Sequence, residues 1–198
     1  MDQPSHDHDH AHEPGPMADA SVRAARPNDA PAVGMVQAVV FRDAYADVLP
    51  AEVIAAFEPE PFAKAWRESL GAPPEGAYRL LVACAGPQVV GACATGPSQD
   101  PDGEPGWGEI GLLAVHPDAR RQGHGSRLLN AAVDLLRDVG ADAVTVWLPS
   151  TDEATRAFLT ASGFGPDGAF RDRMVSPDGD TLREVRLLAH LGAEAEQG

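Results

Sequence analysis

The chain has 198 residues, and thirty acids against fifteen bases leave a formal net charge of −15 at pH 7. That length suits one domain able to bury a core of its own. The charge argues against a nucleic-acid or anionic-membrane partner, since both need a basic face. No stretch approaches the roughly 20 apolar residues of a membrane span, and the start lacks a charged-then-apolar signal pattern.

Two cysteines, Cys84 and Cys93, sit in apolar runs and read as reduced, buried thiols of a cytoplasmic protein. No metal is expected, because no CxxC or Cys/His zinc spacing occurs. Residues 1–18 are rich in His and Asp and show no hydrophobic period, so they read as a disordered tail. Its Asp/His alternation could bind a divalent metal loosely, and Met17 offers an alternative start to Met1. Residues 19–190 form the expected domain, and 191–198 a flexible C-terminal tail.

Residues 21–25 read as a first strand. Asn28 is placed to cap a helix with Pro31 in its first turn, and Val33, Val36, Val39 and Val40 give it a buried stripe. Residues 49–70 hold further helical pieces, broken at Pro50, Pro59 and Pro61. Apolar runs at 78–85 and 89–95 flank Gly86-Pro87-Gln88, a hairpin signal. Residues 96–106 are a Pro/Gly/Asp loop.

Residues 109–115, EIGLLAV, read as a strand buried on both faces. Leu128, Leu129, Ala132, Val133, Leu136 and Val139 make the next helical stripe, stopped by Gly140. Residues 143–148 form another strand. Ser150 and Glu153 have capping-box spacing for a helix with Ala154, Ala157, Phe158 and Ala161 inward and Gly163 as its stop. Runs at 170–176 and 181–188 flank Pro177-Asp178-Gly179, a closing hairpin. The fold class is α/β (α+β), a mixed and mostly antiparallel sheet of about seven strands with about four helices.

Chemistry concentrates in Arg120-Arg121-Gln122-Gly123-His124-Gly125-Ser126, between a strand and an amphipathic helix. Its glycines permit a tight turn. The first helical amides lack intrahelical partners and carry the positive end of the dipole, which suits an anion such as a pyrophosphate. Arg120, Arg121 and Arg127 against Asp118 alone make this segment locally basic in an acidic chain. It is not a Walker A loop, because no Lys is present, nor a GxGxxG dinucleotide fingerprint, because Leu128 stands at the third Gly. His124 is read as facing solvent and His116 as positional.

The run LAVHPDARRQGHGSRLL resembles the R/Q-x-x-G-x-G/A signature of the GNAT superfamily of N-acetyltransferases, with Arg120, Gly123 and Gly125 at the signature positions. DEATRAFLTASGF is similar to the second motif of that family, N-x-x-A-x-x-F-Y-x-x-x-G-F. The resemblance spans roughly residues 21–190. It implies acetyl transfer from acetyl-CoA, as cosubstrate, to a primary amine by direct attack in a ternary complex. The implied cofactor-binding residues are Leu113, Ala114, Val115, Arg120, Arg121, Gln122, Gly123, His124, Gly125, Ser126 and Asp152. Within that set, the pyrophosphate falls to the amides of Gln122 to Ser126 and the pantetheine arm to the strand edge near Leu113. The Leu113 N–H would polarise the thioester carbonyl, and Glu109 would serve as general base.

Two positions depart from the family pattern: Leu159 stands where a Tyr commonly protonates the departing thiolate, and Asp152 where Asn is usual. A catalytically idle acyl-CoA-binding sensor of the same fold is therefore the alternative. Phe41, Arg42, Tyr45 and Trp107 are candidates for the acceptor pocket. The expected partner is a small-molecule or peptide amine, with no nucleic acid and no membrane, and the assembly a monomer or homodimer.

Overall fold

The computed structural model describes residues 20–76, 78–176 and 179–192. The N-terminal tail, most of the C-terminal tail and the turn residues Pro177 and Asp178 lie outside the described residues. One sheet of seven strands runs β1 (Ala20–Ala24), β2 (Arg79–Ala85), β3 (Gln88–Pro97), β4 (Trp107–Val115), β5 (Ala143–Pro149), β7 (Thr181–His190) and β6 (Gly165–Met174) in spatial order. Every neighbouring pair is antiparallel except β4 with β5.

Five α-helices cover the sheet: α1 (Ala30–Tyr45), α2 (Ala51–Ala55), α3 (Pro59–Gly71), α4 (His124–Asp138) and α5 (Glu153–Ala161). Two clusters divide the core by face. Leu128, Leu129, Ala132 and Leu136 of α4 and Leu159 of α5 pack with Ile110, Val146 and Leu187 on one side. Val33 and Val36 of α1 pack with Leu80, Val82, Leu112 and Ala114 on the other, with Trp66 of α3 against them.

The helix starts differ from the sequence expectations. A 3-10 turn, Pro27–Asp29, precedes α1, and Asp29 rather than Asn28 occupies the capping position. The Asp29 carboxylate accepts from the Arg26 amide and the Arg23 guanidinium, both at 2.7 Å, so it closes the turn. Pro61 does not break α3. It lies in the first turn behind Pro59, where no intrahelical N–H is needed. Asp152, not Ser150, caps α5, accepting from the Thr155 amide at 2.9 Å. Ala154, Ala157 and Ala161 of α5 are exposed, while Leu159 is fully buried and Phe158 packs on the core. Val139, expected in the α4 stripe, is 54% exposed just beyond the helix end.

Two irregularities in β4 shape the site. Its pairing with β5 covers Trp107↔Ala143, Gly108↔Val144 and Glu109↔Thr145 and then stops. Beyond that point β4 stays with β3 as far as Val115, while β5 stays with β7 as far as Pro149. The two parallel strands therefore fork. The β3–β4 register also jumps from Thr95↔Ile110 to Ala94↔Leu112, which leaves Gly111 as a bulge. The bulge turns Ile110 to the α4 face and Leu112 to the α1 face, although both have even positions.

Candidate active site

The fork has a vertex, an open edge and a mouth, and sequence-singled residues stand at each. Glu109 is at the vertex, in the last paired position of β4. Along the edge, the His116 amide donates to the Val90 carbonyl at 2.9 Å. Alternation along an antiparallel strand then turns Ala114 and Leu112 toward β3, and Leu113 and Val115 toward the fork. The Val115 carbonyl accordingly accepts from Arg120 Nε at 3.3 Å instead of from β3.

The loop 120–123 and the first turn of α4 close the mouth. Gly123 begins the helix at φ +80°, and the non-glycine Arg121 also has a positive φ of 63°. The first intrahelical bond runs from the Arg127 amide to the Gly123 carbonyl at 3.1 Å. The amides of His124, Gly125 and Ser126 precede it and are without intrahelical acceptors. Gln122 Nε2 donates to the Asp118 carbonyl at 3.1 Å and Arg127 Nη1 to the Gln122 carbonyl at 3.1 Å, which pins the loop from both ends.

Two loop residues sit otherwise than the sequence suggested. His124 is buried at 2% exposure rather than facing solvent. Its Nδ1 has no hydrogen-bond partner among the described residues. Burial, helped by Arg127, holds its pKa below the usual imidazole value, so the ring is neutral and keeps one N–H. Arg120 pairs through Nη1 with Asp43 of α1 at 2.8 Å, tying that helix to the loop. His116 is positional as expected: its Nδ1 accepts from the Asp118 amide at 3.3 Å.

Glu109 is half-buried. Burial raises its carboxyl above the ordinary range, while the Arg171 guanidinium and the Gln99 amide pull it back down in part. On its β3 side lies a cavity of about 240 Å³ lined by Trp66, Leu70, Tyr78 and Gln99 among others. A larger cleft of about 380 Å³ opens between the loop 98–106 and the end of α4, lined in part by Trp107, Leu136 and Gly140.

On its β5 side lies a charged cluster that sequence reasoning missed. Arg186 donates to Asp100 at 2.6 Å and Asp167 at 2.7 Å, and it lies over the rings of Trp107 and Trp147 at 5.4 and 5.6 Å. Arg171 lies over Trp147 at 4.2 Å and bonds Glu184 at 2.6 Å. Trp107 is thus covered by Arg186. Of the other candidates, Phe41 and Tyr45 join Phe57 and Phe62 in an edge-on aromatic cluster, and Arg42 is exposed.

The comparisons agree with this fold. The family model described as Acetyltransferase (GNAT) family matches residues 27–164, and the chain belongs to that family. Acetyl-CoA is the cosubstrate of the family's acetyl transfer. Among solved structures, the PaiA N-acetyltransferase of Thermoplasma acidophilum in complex with coenzyme A is similar at a TM-score of 0.68 and 14% identity, over 86% of this chain and 98% of that one. YncA of Salmonella typhimurium with acetyl-CoA is similar at 0.62 and 21% identity, over 89% and 96%. The ribosomal-protein-S18-alanine N-acetyltransferase of Escherichia coli is similar at 0.61 and 17% identity, over 90% and 98%. No curated protein matches. Among the described residues, no helix is long and apolar enough to cross a membrane, and no cluster of three potential metal ligands occurs.

Proposed function

We propose that the protein transfers the acetyl group of acetyl-CoA to a primary amine, directly and within a ternary complex. The observation that carries this reading is the fork. It opens one β4 edge between a helix start with unpaired amides and a half-buried carboxylate on the same strand.

The chain's own groups fit the cosubstrate. The amides of Gln122 to Ser126 and the neutral imidazole of His124 offer donors to a pyrophosphate. The outward Leu113 and Val115 backbone offers a strand edge to the pantetheine arm, and Ala114 stands between them. The Leu113 N–H is placed to hold the thioester oxygen where charge develops. Asp152 is committed to its helix cap and would meet the arm through the α5 start.

Glu109 accepts the proton that the amine must lose. Leu113 lies four positions further along the strand, roughly 13 Å if extended, so the proton path runs through water. A raised carboxyl pKa makes a better base near neutral pH than an ordinary glutamate. In the overall exchange the C–S bond breaks and a C–N bond forms. The amine proton leaves by Glu109, and the thiolate takes a proton from water. Leu159 gives no acid, since its hydrocarbon side chain has no proton to transfer, and it is fully buried among core residues. A thiol pKa of about 8.5 makes the unassisted thiolate an acceptable leaving group.

The buried Leu159 is also the one observation that favours the sensor alternative. Release of free CoA over a panel of amines, with the acetylated amine identified by mass, separates the two. Turnover of an amine supports acetyl transfer, whereas acetyl-CoA binding with no turnover of any amine supports the sensor.

A further inference from the structure

The β5 side of Glu109 presents charge to solvent unevenly. Glu184 is 4% exposed, and it sits beneath Arg171 at 2.6 Å and Arg173 at 3.6 Å. The two arginines above it are 43% and 63% exposed. Asp100 is likewise turned inward, with 5% exposure, onto Arg186. A ligand lying over Trp147 therefore meets guanidinium groups, while the carboxylates that balance them face the protein.

Among the described residues, the Nη atoms of Arg171 have no hydrogen-bond partner, since only its Nε is engaged by Glu184. Its stack on Trp147 fixes the plane of the fork. The Tyr45 phenol is half-buried at the end of α1. Burial raises its pKa, with Glu184, Arg173, Asp152 and Arg171 all near enough to act on it, so it stays a protonated donor. The wall is thus made of donors: two guanidinium groups and one phenol. An ammonium placed there would meet two cations and only the phenol oxygen as an acceptor, whereas an anionic oxygen would find several donors.

We propose that the acceptor is an amine that carries a carboxylate, an amino acid, with Arg171 and Arg173 holding the carboxylate over Trp147 while the amine lies at Glu109. The inference rests on the acetyl-transfer reading and narrows it. It reverses what the net charge of −15 would suggest, namely a cationic acceptor, because the site's exposed charges differ in sign from those of the chain.

The experiment compares the α-amino acids with their matching carboxamides, in wild type and in Arg173→Met, by CoA release and by calorimetry with CoA present. Arg173 is exposed enough for its loss to leave the fold intact, and Arg171→Lys serves as a second variant that keeps Glu184 paired. Wild type should favour an amino acid over its amide by at least about tenfold in kcat/KM, the scale of one hydrogen bond to a charged group. Arg173→Met should raise KM for the amino acid about tenfold with little change in kcat, and leave the amide unaffected. Equal turnover of acid and amide overturns the proposal and leaves acetyl transfer standing. Binding that depends on the carboxylate, without turnover, keeps the site and overturns the catalytic reading. No binding of any amino acid overturns the proposal.

Discussion

At the residue scale, Glu109 carries the sharpest expectation. A group with a raised folded pKa is deprotonated only above that value, so kcat/KM should climb as pH rises through it. Glu109→Gln should lower kcat roughly a hundredfold, the lower range for a general base. It should also erase that limb of the pH profile, leaving the slope set by the amine itself. An unchanged profile would remove Glu109 from the proton path. Gly123 is the second test. Its φ of +80° is costly for any side chain, and a Cβ there would stand 2.8 Å from Arg127 Nη1. The arginine can move, but the backbone strain cannot be relieved without rotating the first-turn amides. Gly123→Ala should weaken acetyl-CoA binding about tenfold, for a strain of about 1–2 kcal/mol, read by calorimetry.

At the element scale, α1 and α3 approach so closely at Gly34 that an added Cβ would lie 2.6 Å from both Ala63 N and Pro59 O. These are backbone atoms, so Gly34→Ala must push the helices apart. We expect a loss of about 1–3 kcal/mol and a lower Tm in thermal unfolding. Arg186 ties three elements, since its partners Asp100 and Asp167 lie 86 and 19 residues away. For Asp100, burial alone would raise the carboxyl. The Asp102 amide and Arg186 outweigh it and leave the pKa below the ordinary value. A carboxyl depressed on folding stabilises above its unfolded pKa and ceases to as pH falls through its folded one. Asp100→Asn should therefore lower Tm at neutral pH and flatten its decline below about pH 4.

The same elements show where the sequence was readable. The fork strands and the α4 stripe were legible because apolar runs and helical periodicity report burial directly. The phosphate loop was legible because its chemistry lies within seven consecutive residues. The inward face of α5 is legible only at Phe158, because three alanines mimic a stripe whereas Leu159 makes the rest of the contact. The Gly111 bulge and the Arg186 cluster left no local pattern at all. A bulge is a property of pairing, and charges that meet across 86 residues are indistinguishable in sequence from solvated ones.

At the scale of the whole molecule, the charge of −15 is unevenly spread. Residues 1–20 carry five acids and no Lys or Arg, whereas three of the fifteen bases lie between Arg120 and Arg127. Anion binding thus depends on local amides and arginines, and the sign of the chain as a whole does not decide it. Removal of residues 1–18 should leave both Tm and acetyl-CoA affinity unchanged, and a loss of either would give the tail a place in the domain. If the β4–β5 fork orients acetyl-CoA, a crystal structure of the complex will show it. The pyrophosphate should lie on the amides of Gln122 to Ser126, and the thioester oxygen within hydrogen-bond reach of the Leu113 N–H. Acetyl-CoA bound elsewhere, as in the cleft beside Trp107 and Gly140, would contradict it.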